Sequence, residues 1–101
     1  MNKFRTNWDN GHACDSVGPF TTSGRAIGCA YDILEGWMES TLTDWESSGW
    51  YESETDAWNS MIYECSVSVD IYDPDTGTYT PFWEPTDAEL AAIGWIEREE
   101  D

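Results

Sequence analysis

The sequence predicts an α+β fold, with helices laid over one face of a small antiparallel sheet. Three observations predict it. Apolar residues recur every three to four positions from Gly24 to Trp45, the period of a helix. Ser66 to Tyr72 alternates strictly between apolar and polar, the period of a strand with one buried face. Asp73-Pro74-Asp75-Thr76-Gly77 follows, and its residues suit a tight reversal of the chain. The chain has 101 residues, with seven Trp, five Tyr and three Phe, enough aromatic surface for one domain with its own core.

Residues 1–22 read as a loop-like N-terminal segment, extended at most over a short piece. Asn10-Gly11 and Gly18-Pro19 are turn signals, and Phe4, Trp8 and Phe20 are expected to pack onto the domain. Thr22 or Ser23 caps the long helix. Ile27, Ala30, Tyr31, Leu34, Trp37, Met38, Leu42 and Trp45 form its apolar face, and Ser47-Ser48-Gly49 ends it. Gly36 inside it suggests either close approach of another backbone or a slight bend.

Ser53 opens a second helix in the manner of a capping box, with Asp56 in the Glu place. Ala57, Trp58, Met61, Ile62 and Cys65 form its apolar face. The strand from Ser66 buries Val67, Val69 and Ile71. The return strand, Thr78 to Trp83, is predicted to lie at an edge because Pro81 cannot donate to a ladder. Thr86-Asp87-Ala88-Glu89 is a second capping box, opening a short C-terminal helix. Gly94 ends that helix, with Trp95 folding back on Leu90 or Ala91. Residues 97–101 read as a frayed acidic tail. Trp37, Trp45 and Trp58 are expected in the core, and Trp50 and Trp83 are the candidates for exposure.

Charge is the dominant compositional feature. Four basic residues stand against 21 acidic ones, a formal net charge of −17. The imbalance is not uniform. Lys3, Arg5 and Arg25 outnumber Asp9 and Asp15 in the first 25 residues, whereas Arg98 alone faces 19 acids in the rest. Halophilic acidity would spread over the whole chain. This field excludes nucleic acid and anionic membranes as direct partners and favours encounter with a basic cleft. No long apolar run, secretory signal or targeting tail is visible, so a soluble cytoplasmic protein is expected.

On the long helix Asp32, Glu35, Glu39 and Glu46 fall within about 60° of one another at ~100° per residue. No Lys or Arg lies four residues from any of them. Like charges at this spacing each cost a few tenths of a kcal/mol, roughly, where a Lys would give a gain. The row therefore weakens the helix; it reads either as a solvated outer face or, more sharply, as a negative strip offered to a basic surface. Glu52, Glu54 and Asp56 at the front of the second helix extend the acidic set, and Asp73 and Asp75 add a separate acidic hairpin tip.

Reaction chemistry is missing from the same inventory. One His, no Lys beyond Lys3 and no Gly-rich phosphate loop leave nothing to bind or polarise a substrate, so no enzyme and no cofactor are expected. His12 and Cys14 with Cys29 and Cys65 could in principle ligate zinc, but no two cysteines sit a few residues apart in a knuckle, so no metal site is expected. Asp73, Asp75 and Glu84 fall at positions 1, 3 and 12 of a calcium-loop pattern. Gly77 is one place early and strands flank the loop, so the turn reading prevails. The three cysteines, an odd number, are expected as buried free thiols.

In size, net charge, striped helix and absent active site, the chain resembles the small phage proteins that block host defence, the anti-CRISPR and anti-restriction proteins. The resemblance is one of size, composition and charge layout, so no functional residue carries over from it. It implies an inhibitor whose carboxylates stand where a duplex would present phosphates. Its partner would be a basic nucleic-acid-binding protein: a CRISPR effector first, a restriction enzyme next, a uracil glycosylase by the same logic. A homodimer would align two acidic faces. The other reading is a binding module that docks through Trp50, Tyr51 and Trp83, with acidity serving solubility.

Overall fold

The computed structural model describes residues 3–99. Two strands, Phe4–Asp9 (β1) and Cys14–Phe20 (β2), precede the long helix Ser23–Ser48 (α1) and the second helix Glu54–Glu64 (α2). Strands Ser66–Asp73 (β3) and Thr78–Trp83 (β4) and the short helix Asp87–Ala92 (α3) follow. The four strands form one antiparallel sheet in the order β2-β1-β3-β4. The fold is α+β, as the sequence predicts, but the sheet has twice the strands of the expected hairpin.

The difference lies in residues 4–20, which are a β-hairpin rather than a loop. Asp9 Oδ1 accepts from the Gly11 amide and Asn10 Oδ1 from the amides of His12 and Ala13, closing the turn at 2.8–3.0 Å. β1 then pairs with β3 over its whole length, Phe4 opposite Ile71 and Asp9 opposite Ser66. Phe4, Thr6 and Trp8 share the helix-facing side. Thr6, buried, donates from Oγ1 to the Ala26 carbonyl at 2.6 Å, tying the sheet to the first turns of α1. Gly18-Pro19 is not a turn but part of β2, beside the irregularity where Phe4 and Thr6 shift register.

α1 runs as predicted. Thr22 Oγ1 accepts from the Arg25 amide and Gly49 closes the helix at φ 72°. Its first half lies on the sheet through Ala26, Ala30 and Leu34, all buried. Its second half projects past the sheet, where α2 packs beside it, with Met61 and Trp58 joining Val67 of β3 in one core cluster. The molecule is correspondingly elongated, 51 × 26 × 17 Å. Nothing approaches within 4 Å of a Cβ built at Gly36, so the glycine serves no close backbone contact.

Two core clusters result. Phe4, Ala26 and Val69 fill one end of the sheet, and Ala30, Leu34, Trp58, Met61, Val67 and Trp95 fill the junction of sheet, α1 and α2. Trp95 arrives there because α3 ends in the predicted wrap: its amide donates to the Leu90 carbonyl at 2.9 Å and Gly94 takes φ 87°. The segment after it is held as far as Arg98. Arg98 bonds Asn59 through its backbone and Glu54 through its side chain. Glu100 and Asp101 lie outside the described residues.

Candidate acidic binding face

The stripe on α1 stands almost opposite the buried line. At ~100° per residue, Asp32, Glu35, Glu39 and Glu46 centre about 170° around the helix from Ala26, Ala30 and Leu34. All four are exposed. None makes an ion pair among the described residues. The row spans ~21 Å at 1.5 Å per residue, about one charge per 5–7 Å, whereas each strand of duplex DNA carries a charge every ~3.4 Å.

The charges also run against the helix. Arg25 occupies the first turn, where the dipole favours an acid, and Glu46 the last, where it favours a base. The local sequence thus gives up helix stability at both ends and along one side. What holds α1 is its buried face and its two caps.

The other sequence-predicted residues divide. Glu52 is exposed at the α1–α2 turn. Glu54 is paired with Arg98 Nη1 at 2.8 Å, which removes much of its charge from the surface. Asp56 is half-buried in the first turn of α2, its amide donating to Ser53 Oγ at 3.1 Å. At the β3–β4 tip, Asp73 Oδ1 accepts from the Asp75 amide at 2.9 Å, so Asp73 braces the turn and Asp75 is the exposed member.

This tip lies at the Phe4 end of the sheet, where α1 begins, whereas Glu52, Glu54 and Asp56 lie at the far end of α1. The fold therefore does not join these two groups. The stripe is the strip of acids between them.

Of the four cations, Arg25 is exposed on α1, about 20° around the helix from Asp32 at ~100° per residue, Arg98 pairs with Glu54, and the other two lie elsewhere. Arg5 and Lys3 lie on the sheet face turned away from the helices. Arg5 Nε meets Asp70 Oδ2 at 3.0 Å and its guanidinium stacks 4.2 Å over Tyr79, while Lys3 Nζ lies 5.9 Å from the centre of the Tyr72 ring. The molecule thus has an acidic helical side, and its sheet side holds Lys3 and Arg5.

Aromatic exposure differs from expectation at one of two positions. Trp50 is 84% exposed, but Trp83 is half-buried, edge-on to Tyr31 at 5.7 Å. Tyr63, which the sequence reading passed over, is 91% exposed. Its signal was available: it falls outside the apolar face set by Trp58, Met61 and Cys65 on α2. Cys14 is exposed on β2, contrary to the expected buried thiol, because β2 is an edge strand with little cover. Cys29 and Cys65 are half-buried, and all three cysteines are free.

Among the described residues no helix is long and apolar enough to cross a membrane. Comparison with protein-family profiles, with curated proteins and with solved structures returns no match.

Proposed function

We propose that this protein is an acidic inhibitor that mimics nucleic acid and occupies the DNA- or RNA-binding site of a basic enzyme, foremost a CRISPR effector and next a restriction enzyme. One observation carries the reading: four carboxylates in a row on the outermost side of α1, all exposed and none in an ion pair among the described residues. Arg5 and Arg98 are committed to internal partners, which leaves Arg25, in the first turn of α1 and two turns before Asp32, as the one cation on the helix that carries the stripe. An Arg- and Lys-lined cleft that holds phosphates would also pair with carboxylates, and added salt would screen that attraction. In this reading the protein works in the cytoplasm of a bacterial host, carries out no chemistry and needs no cofactor.

The test is capture from lysates containing CRISPR effectors and restriction enzymes, with elution by a salt gradient. The reading expects one basic nucleic-acid enzyme released at moderate salt and displaced by that enzyme's own guide RNA or DNA. A partner that stays bound through high salt and ignores nucleic acid would overturn it.

The exposure of Trp50 favours a second reading, a module that docks through Trp50 and Tyr51 with acidity as a solubility feature. Salt separates the two, because aromatic docking survives ionic strength that screens the stripe.

A further inference from the structure

We propose that the cleft beside the α1–α2 turn receives an arginine side chain of the partner. The inference deepens the reading above and rests on its basic partner. The cleft, about 470 Å³, is lined by His12, Trp50, Tyr51, Ser60 and Glu64. Trp50 contributes almost nothing to the core, so the area of its indole is free to be buried on contact.

The chain itself shows how such surroundings are used. Arg98 lies 4.2 Å over the Trp58 ring while its Nη1 meets Glu54 at 2.8 Å. Arg5 lies 4.2 Å over the Tyr79 ring while its Nε meets Asp70 at 3.0 Å. Each guanidinium lies over a ring and donates one hydrogen bond to a carboxylate, two contacts that a planar guanidinium can make at once. Trp50, Tyr51 and Glu64 bring rings and a carboxylate to the lining of one open cleft. Among the described residues the one ion-pair partner of Glu64 is His12, an exposed imidazole at 3.8 Å.

The chemistry selects the occupant. An ammonium group is compact and strongly hydrated, and it cannot stack and form a fork together. An apolar side chain would cover Glu64 without pairing it, which is unfavourable. The negative field of the α1 stripe and of Glu52 draws cations toward this end of the molecule.

The experiment needs no partner. The ¹⁵N-labelled protein is titrated with acetyl-Gly-Arg-Gly-amide and with the lysine equivalent, following the indole signal of Trp50 (identified with Trp50→Phe) and the amides of Tyr51 and Glu64. The arginine peptide is expected to move these signals saturably and to bind about threefold or more tighter than the lysine peptide. Glu64→Gln and Trp50→Leu, both at accessible positions, should each weaken that binding about fivefold. Equal affinity for the two peptides, unchanged binding by both variants, or shifts centred on Glu35 and Glu39 with Trp50 unmoved would overturn the proposal. Such a failure leaves the stripe untouched, and a failed capture experiment leaves the titration standing.

Discussion

Arg98 Nη1 meets Glu54 Oε1 at 2.8 Å, joining the segment after α3 to the front of α2. The same guanidinium covers the Trp58 ring, whose Nε1 donates to the Ile96 carbonyl at 2.7 Å. One arginine thus closes the C-terminal segment over a core tryptophan and takes one carboxylate out of the acidic surface.

Arg98→Ala should therefore destabilise the fold by about 1 kcal/mol, a partly exposed ion pair plus a ring contact, measured by urea unfolding. Partner affinity should hold or rise, because Glu54 is released. A loss of affinity would place Arg98 in the contact.

Charge and stability oppose each other at Glu46. It lies in the last turn of α1, where an acid faces the negative end of the dipole. Glu46→Lys should raise stability by about 0.3–1 kcal/mol while weakening the partner complex. Thermal unfolding and binding by the same variant check both signs.

Glu89 reports on α3. Its carboxylate accepts from Tyr31 Oη at 3.0 Å and from the amide and hydroxyl of Thr86, and these bonds hold its carboxyl below the usual range. A carboxyl depressed in the fold stabilises it above the unfolded value, about 4.3. That contribution is lost as pH falls through the folded value. α3 should hold until pH falls below the usual carboxylate range and loosen there, and Tyr31→Phe should move the Glu89 midpoint upward in an NMR titration of its carboxyl carbon. An unmoved midpoint would contradict the bond's role.

The cysteines should separate by reactivity. Burial, then the charges of Glu64 and Asp9, push the Cys65 thiol up to about 11. Cys14 is exposed. At pH 8, iodoacetamide should alkylate Cys14 roughly tenfold or more faster than Cys65, as read by peptide mass spectrometry. Equal rates would mean that α2 opens readily at its end.

Much of this architecture is legible in the residues themselves. α1, the β3–β4 hairpin and α3 announce themselves because their periods, caps and turn residues agree: Thr22 and Gly49, Asp73 to Gly77, Thr86 with Glu89. β1 and β2 do not. In β1 the buried position between Phe4 and Trp8 is Thr6, a polar residue satisfied only by the distant Ala26 carbonyl, so the alternation is masked. β2 is an edge strand exposed along nearly its whole length, and nothing in its composition records a buried face. The stripe was legible because it rests on helical spacing alone. The cleft of Trp50 and Glu64 was not, since it depends on how α2 and the β1–β2 turn meet.

The central claim is that the α1 stripe carries recognition of the basic enzyme. The most direct measurement is that enzyme's affinity for the wild-type chain and for the triple variant Glu35→Lys, Glu39→Lys, Glu46→Lys over a series of salt concentrations. The account predicts that the variant folds, binds at least about a hundredfold more weakly, and shows a shallower dependence on salt. Unchanged affinity and an unchanged salt slope would contradict it and move the site off α1.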